Sequence, residues 1–422
     1  MDWLKIINFI IAVLFTVCYA YQYVYIIVGC FVKPHIFRQV KPQHRFAILI
    51  SARNEQSVIG HLLDSIGAQS YPQELIDTYV IADNCTDATG AIAKEHGAIV
   101  YERNDLCNVG KGYALAFLFD HLQKEQSFDR YDGFFVIDAD NILHPDFVRE
   151  MDKCMSEGHR IITCYRNSKN YGTNWITAGY ALWFLREARH LNNPRFILGT
   201  SCAVSGTGFL VHKDVIRRQG GWKHFLLTED IEFSVDSILH GEKIAYCHKA
   251  MLYDEQPITF RQSWRQRMRW SKGFLQVVRK YGTKLVSGIF HGKGFSCLDM
   301  LFTIAPAFII STVSLLTNLT GLIVGLATTP QNLLTALVEI GKMLGGVYVI
   351  LFTVGLISGC FEWKNIHTTT PRKILSFFTF PLFMMTYLPI SLVALFAKVS
   401  WKPIDHTVAC TLENIENNAS QN

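Results

Sequence analysis

A chain of 422 residues, half of them hydrophobic and only 18% charged, can hold a soluble domain of ordinary size together with a membrane part. Its formal net charge of +5 is mild, and no Lys/Arg-rich run points to nucleic acid; the basic excess suits a membrane-proximal surface or a phosphate site. The eleven cysteines form no Cys-x-x-Cys pair, which argues against a zinc site or disulfide frame and for buried thiols in a reducing compartment.

Residues 6–32 run without a charge, and 27 helical residues at about 1.5 Å each span roughly 40 Å, more than the roughly 30 Å hydrocarbon core. The sequence therefore predicts a tilted transmembrane helix over 1–32. A cleaved signal peptide fits less well, because the run is too long, lacks an Ala-x-Ala-like site and leads into Lys33, Arg38, Lys41 and Arg45.

Charged residues concentrate between 33 and 290. From Phe46 the pattern alternates: apolar runs at 46–50, 78–82, 99–101 and 134–137 are followed by helical periodicity at 55–68, 87–96 and 112–122. Repeated βα units predict an α/β domain with a mostly parallel sheet and helices on both faces. Ligands of such sheets bind beyond the carboxyl ends of the strands. Ser51 to Glu55, Asp83 to Asp87 and Asp138 to Asp140 all sit at such ends, so three polar clusters are expected to converge on one crevice.

Asp138 and Asp140 form an Asp-x-Asp pair after Phe134 to Ile137, hard oxygen donors suited to Mg2+ or Mn2+ bound together with substrate phosphates. Asp140 is the expected metal ligand, with Asp138 reaching a ribose or a metal-bound water. Asp83 ends its strand and is placed to meet a nucleoside, whereas Asp87 and Thr86 can equally cap the next helix. Lys111, between Gly110 and Gly112, can neutralise a phosphate or decorate a loop; the full P-loop pattern is absent. Thr228, Glu229 and Asp230 open a helix over 231–239, where acids suit the first turn, but Asp230 is also a candidate base. The stretch 260–280, after Pro257, reads as one basic and aromatic helix of the kind found at membrane surfaces. Within it Arg269 offers a planar fork for a diphosphate, Trp270 a flat apolar face for a sugar ring. A second aromatic and basic helix is expected at 180–189, and the histidines show no metal-binding spacing.

Three more apolar stretches follow, at about 299–328, 334–361 and 374–398. Glu339 and Lys342 move the expected start of the middle span towards Gly345. Basic residues after the first helix and at Lys364, Arg372 and Lys373 fall on the cytoplasmic side if the large domain does, so four crossings would put both termini outside. Alternatively, part of 360–380 lies flat in the interface, because Pro371, Arg372 and Lys373 precede a Phe-rich run. The expected division is 1–32 membrane helix, 33–290 catalytic domain with interface helices, 291–400 membrane region and 401–422 tail.

The ordered set Asp83, Asp138-x-Asp140, Thr228-Glu229-Asp230 and Gln266-x-x-Arg269-Trp270 resembles that of the membrane-embedded family 2 inverting glycosyltransferases, which include cellulose, chitin, hyaluronan and poly-N-acetylglucosamine synthases. The resemblance covers about 45–273. It implies a GT-A (Rossmann-like) fold, a UDP-sugar donor, and Mg2+ or Mn2+. By the same resemblance Asp83 and the Asn54-Glu55 turn hold uridine near Lys111, and Asp138 and Asp140 hold ribose, diphosphate and metal. Asp230 is then the base; Gln266, Arg269 and Trp270 close over donor and acceptor, and Glu229 and the Ser205-Gly206-Thr207-Gly208 segment, near Cys202, line the acceptor side. Many relatives carry Asp-Asp at the second strand end, where this chain has Ala82-Asp83. The resemblance implies an integral plasma-membrane protein with a growing β-linked polysaccharide as acceptor, passed through the membrane, and room for an export or accessory subunit; a lipid acceptor is the alternative.

Overall fold

The computed structural model describes residues 1–292, 294–400, 408 and 410–415. Eight strands form one sheet: β1 (Phe46–Ala52), β2 (Ile76–Asp83), β3 (Ile99–Arg103), β4 (Gly133–Asp138), β5 (Ile142–Leu143), β6 (Ile161–Ser168), β7 (Phe209–His212) and β8 (Ile244–Asp254). Their order is β3-β2-β1-β4-β7-β6-β8-β5. The first four run parallel, and both faces of β1 are covered, which is why Phe46 to Ile50 reads as an unbroken apolar run. β7 then enters antiparallel between β4 and β6, and β5 pairs antiparallel with β8. The sheet is thus more mixed than the expected mostly parallel one.

Register places the chemistry. Ser51 pairs with Asp138 and Ala52 with Ala82, so Asp83 and Asp138 emerge side by side on either flank of β1. The turns after β1 and β2 each need one left-handed residue, supplied by Asn54 (φ 57°) and Asn84 (φ 53°), a conformation Asn tolerates better than most side chains. The Asn54 side-chain oxygen accepts from the Thr86 amide (2.8 Å) and fastens the two turns together.

Helices α2 (Ile59–Gly67), α3 (Thr89–Glu95), α4 (Lys111–Lys124), α5 (Phe147–Ser156), α6 (Trp175–Glu187), α7 (Asn193–Ile197), α8 (Lys213–Gln219), α9 (Glu229–Leu239) and α10 (Phe260–Phe290) belong to this part of the chain. Asn174 caps α6 in a reciprocal capping box with Thr177.

Among the described residues, four apolar segments are long enough to cross a membrane: α1 (Asp2–Phe31), Gly294–Ala327 (α11, Gly294–Ile304, then α12, Pro306–Ala327), α13 (Pro330–Phe361), and Thr370–Phe396 (α14, Thr370–Met385, then α15, Tyr387–Phe396). A buried ion pair ties two of them to the sheet domain: Arg195 of α7 grips Asp299 of α11 through two bonds of 2.7 Å, and the Tyr21 and Tyr25 hydroxyls of α1 donate to the same carboxylate. Glu339 and Lys342 pair with each other (2.8 Å) inside α13, which runs unbroken from Pro330.

The last segment departs from a simple crossing. Glu362, just past α13, accepts from Tyr165 of β6 (2.5 Å); Arg372 donates to the Gly172 carbonyl (3.0 Å), and Ser376 meets Tyr171 (2.7 Å). After the break at Thr386, α15 follows α10, with Lys272 donating to the Ala394 carbonyl (3.0 Å). The Val408 amide reaches both Glu255 carboxylate oxygens at 3.2 Å. Residues 370–396 begin and end on the sheet domain, and the tail returns to it. Four segments are long and apolar enough to cross a membrane, as expected, and the contacts of the last one with the sheet domain suit the alternative of a segment lying along the interface.

Candidate active site

A cavity of about 310 Å³ opens at the carboxyl ends of β1, β2 and β4. Its wall brings together Glu55, Asp83, Lys111, Asp138, Asp140, Gly206, Glu229, Asp230, Gln266, Arg269 and Trp270, residues drawn from across two hundred positions of sequence.

On the sheet side, Asp83 is gripped by Arg103 (2.6 Å), and burial still raises its carboxyl above the ordinary range. Arg103 has no signature in the sequence; it is recognised only once β2 and β3 pair. Glu55 lies on the same wall, its backbone amide held by the Thr89 hydroxyl (2.8 Å). Asp87 is occupied locally, accepting from the Thr89 amide (3.0 Å) at the start of α3. Lys111 opens α4, donating to Asp138 and to the Gly206 carbonyl (2.8 Å), so the amine stitches the Asp-x-Asp turn to the glycine-rich segment. A Cβ on Gly112 would stand 2.1 Å from the His224 carbonyl oxygen, so this glycine serves close backbone approach and not a phosphate loop.

Asp140 accepts from the Glu255 amide (3.3 Å) and lies carboxyl to carboxyl with Asp254. Burial alone would raise Asp254, but Arg166 and its hydrogen bonds hold it below the ordinary range. Two carboxyl groups in contact call for a proton or a cation between them. Among the described residues no cluster of three or more His, Cys, Asp or Glu side chains stands ready to hold a metal. Asp138 and Asp140 nevertheless fit Mg2+ or Mn2+, since such ions commonly take one or two protein carboxylates and complete their shell with substrate phosphates and water. Thr207 does not face the cavity wall: its hydroxyl accepts from the Asp138 amide (2.9 Å) and donates to Asn141 (2.5 Å), bracing the Asp-x-Asp turn from behind.

Across the cavity, α9 presents Glu229 and Asp230 from its first turn. Thr228 makes no side-chain cap, and the loop before it is held by Glu232, which accepts from the Phe225 and Leu226 amides (2.9 Å each) and from Lys280 of α10 (2.5 Å). α10 crosses closely at Gly273, where a Cβ would fall 2.5 Å from the Thr228 side chain. Arg269 donates to the Leu227 carbonyl (3.1 Å), and Trp270 meets Tyr180 edge to face at 5.7 Å. The Gln266 carbonyl oxygen is buried without a partner. Burial raises the Asp230 carboxyl, against the pull of Arg269 and Lys111, and raises Glu229, with the charge of Asp230, to about 7.

A carboxylate pair with raised proton affinity, facing a second acidic turn, a lysine and an arginine, is a site built for acid-base work beside a phosphorylated ligand. Residues 42–273, more than half of the chain, match the family described as "Glycosyltransferase like family 2", and the chain belongs to that family. The probable glycosyltransferase YdaM of Bacillus subtilis (strain 168) is 24% identical over 266 residues, 57% of this chain and 58% of its own length. A beta-monoglucosyldiacylglycerol synthase of Synechocystis is 24% identical over 246 residues, covering 57% and 50%. A poly-beta-1,6-N-acetyl-D-glucosamine synthase of Staphylococcus epidermidis is 24% identical over 274 residues, covering 60% and 63%. The chain thus matches between half and two-thirds of the length of these relatives. Mannosyltransferase PcManGT from Pyrobaculum calidifontis, solved with GDP-Man and Mn2+, superposes over 92% of this chain and 99% of its own at a TM-score of 0.53 and 14% identity, a likeness of GT-A fold.

Proposed function

We propose that this glycosyltransferase moves a sugar from a UDP-sugar to the end of a growing β-linked polysaccharide at the membrane, inverting the anomeric centre. The observation that carries the reading is the single cavity in which Asp230 faces Asp138, Asp140, Lys111 and Arg269 while Thr303 of the α11–α12 segment closes one side. Asp83, Glu55 and the β1 turn take the uridine; Lys111 and Arg269 take diphosphate oxygens. Asp140, with Asp138, would hold Mg2+ or Mn2+, and such an ion supplies charge neutralisation for the departing diphosphate. Asp230 accepts the proton of the acceptor hydroxyl, the acceptor oxygen bonds to the anomeric carbon, and the bond from that carbon to the phosphate oxygen breaks, releasing UDP. One in-line displacement inverts configuration. Trp270 and Gln266, on α10, seat the sugar and exclude water. The domain, 33–290, would face the cytoplasm at the plasma membrane, with an export or accessory subunit as a possible partner.

A second reading, one transfer onto a lipid headgroup, draws on the apolar wall residues Leu191 and Phe274 and on Thr303 of the α11–α12 segment, which bring the cavity wall to an apolar helix long enough to cross a membrane. Sizing the product separates the two. The purified chain in lipid, given UDP-glucose, UDP-N-acetylglucosamine or GDP-mannose with Mn2+, should consume a UDP-sugar and yield polymer; a lipid carrying one sugar supports the second reading, and use of GDP-mannose alone contradicts the uridine assignment.

A further inference from the structure

We infer that Glu187 is an acceptor-positioning residue: its carboxylate receives hydroxyl groups of the acceptor's terminal sugar and turns the attacking hydroxyl towards Asp230. The inference rests on the function proposed above and adds a residue outside every motif that led to it. Glu187 is the last residue of α6, and Trp183, Glu187 and Leu191, four residues apart, share one stripe of that helix and its continuation; all three line the cavity. A π-helical turn, Ala188–Asn192, follows directly, a local widening that often accompanies functional positions in helices.

The charges of three guanidinium groups act on Glu187 through space, yet each group is bonded elsewhere. Arg166 donates to Asp254 and to the Ser205 carbonyl (2.8 Å) and lies 3.9 Å above the Phe184 ring; Arg195 is spent on Asp299; Arg186 donates to Gln22 of α1 (2.6 Å). Their charges favour an ionised Glu187 without bonding it, while burial and Asp230 oppose ionisation and raise its carboxyl. Among the described residues no donor lies on the Glu187 carboxylate, so its lone pairs remain for a ligand in the cavity. A carboxylate that lines one cavity with two indoles, Trp183 on its own helix, with the Arg186 guanidinium 4.9 Å over its ring, and Trp270 on α10, has the chemistry of a sugar subsite: hydroxyl acceptors beside aromatic side chains.

The test uses the full chain in native membranes, with labelled UDP-glucose and UDP-N-acetylglucosamine as probes. Label entering membrane-bound product and label released as free sugar are both counted. UDP affinity is measured by calorimetry. Glu187→Ala should lower the ratio of transfer to hydrolysis roughly 10- to 100-fold, the loss expected for hydrogen bonds to a charged group, while UDP affinity stays within about twofold. Glu187→Gln, which keeps one acceptor oxygen, should fall between Glu187→Ala and the parent. An unchanged ratio in Glu187→Ala, or UDP affinity falling in step with transfer, overturns the assignment. If the parent chain transfers nothing from either probe, the proposed function fails and this inference with it; if Asp230→Asn abolishes transfer while Glu187→Ala spares it, only the inference fails.

Discussion

Asp230 and Asp140 divide the labour in this cavity, and substitution should separate them. Asp230→Asn removes the proton acceptor and keeps the shape, so UDP binding should persist while transfer falls roughly 10²- to 10⁴-fold; calorimetry showing lost UDP binding would move Asp230 to the donor site. Asp140→Asn should instead abolish Mn2+-stimulated UDP release and weaken retention of Mn2+ on titration, and parental turnover would remove it from the metal site. The pH profile carries a third expectation. A base acts only without its proton, so the rate should rise with pH. Because burial and Asp230 bring Glu229 to about 7, Glu229→Gln should delete the part of the profile that titrates there and leave a lower limb belonging to Asp230. A profile unchanged by Glu229→Gln would contradict this. At this scale the sequence was informative where a residue type is rare at its place: acids ending apolar runs, or an Arg-Trp pair on a basic helix. It was silent on Arg103, on Asp254 and on Glu187 as a wall of the cavity, whose places come from strand pairing and helix packing that no local spacing encodes, and it expected Thr207 on the acceptor side, whereas the hydroxyl braces the end of β4.

Among the elements, α10 links site to membrane. One face carries Gln266, Arg269 and Trp270 to the cavity. Another buries Arg267, fully inaccessible, whose guanidinium donates to the Phe383 carbonyl (3.0 Å) and the Thr386 hydroxyl (2.6 Å) at the α14–α15 break and lies 4.3 Å above the Phe383 ring. No carboxylate balances it among the described residues. Arg267→Ala leaves a cavity beside the Phe383 ring and removes two hydrogen bonds from a charged donor at the helix break, and should cost about 3 kcal/mol, seen as a lower thermal midpoint in lipid nanodiscs. A midpoint within about 1 °C of the parent would show that α15 is held by other contacts. The first four strands and the helices between them were legible because each apolar run is bounded by polar turns. β7 and β8 were not, since short apolar runs give no sign of strand direction, and direction is what makes the sheet mixed.

For the whole molecule, the contact of Val408 with Glu255 leads to a topological prediction. A cysteine introduced at Thr411 should label from the same side of the membrane as one at Lys94, and one at Gln331, in the first turn of α13, from the other. Labelling of Thr411→Cys and Lys94→Cys from opposite sides would instead support four crossings. Hydropathy identified the apolar segments but not the contacts of the last one, because α14 and α15 are as apolar as a crossing pair and their packing against α6 and α10 is encoded by no local spacing. The account's central claim, sugar transfer with inversion by Asp230 in this cavity, is tested most directly by the anomeric configuration of the product formed from an α-linked UDP-sugar by the full chain in lipid, beside Asp230→Asn. The account predicts a β-linkage formed with one UDP released per sugar transferred, and neither with the variant; an α-linked product, or undiminished transfer by Asp230→Asn, would contradict it.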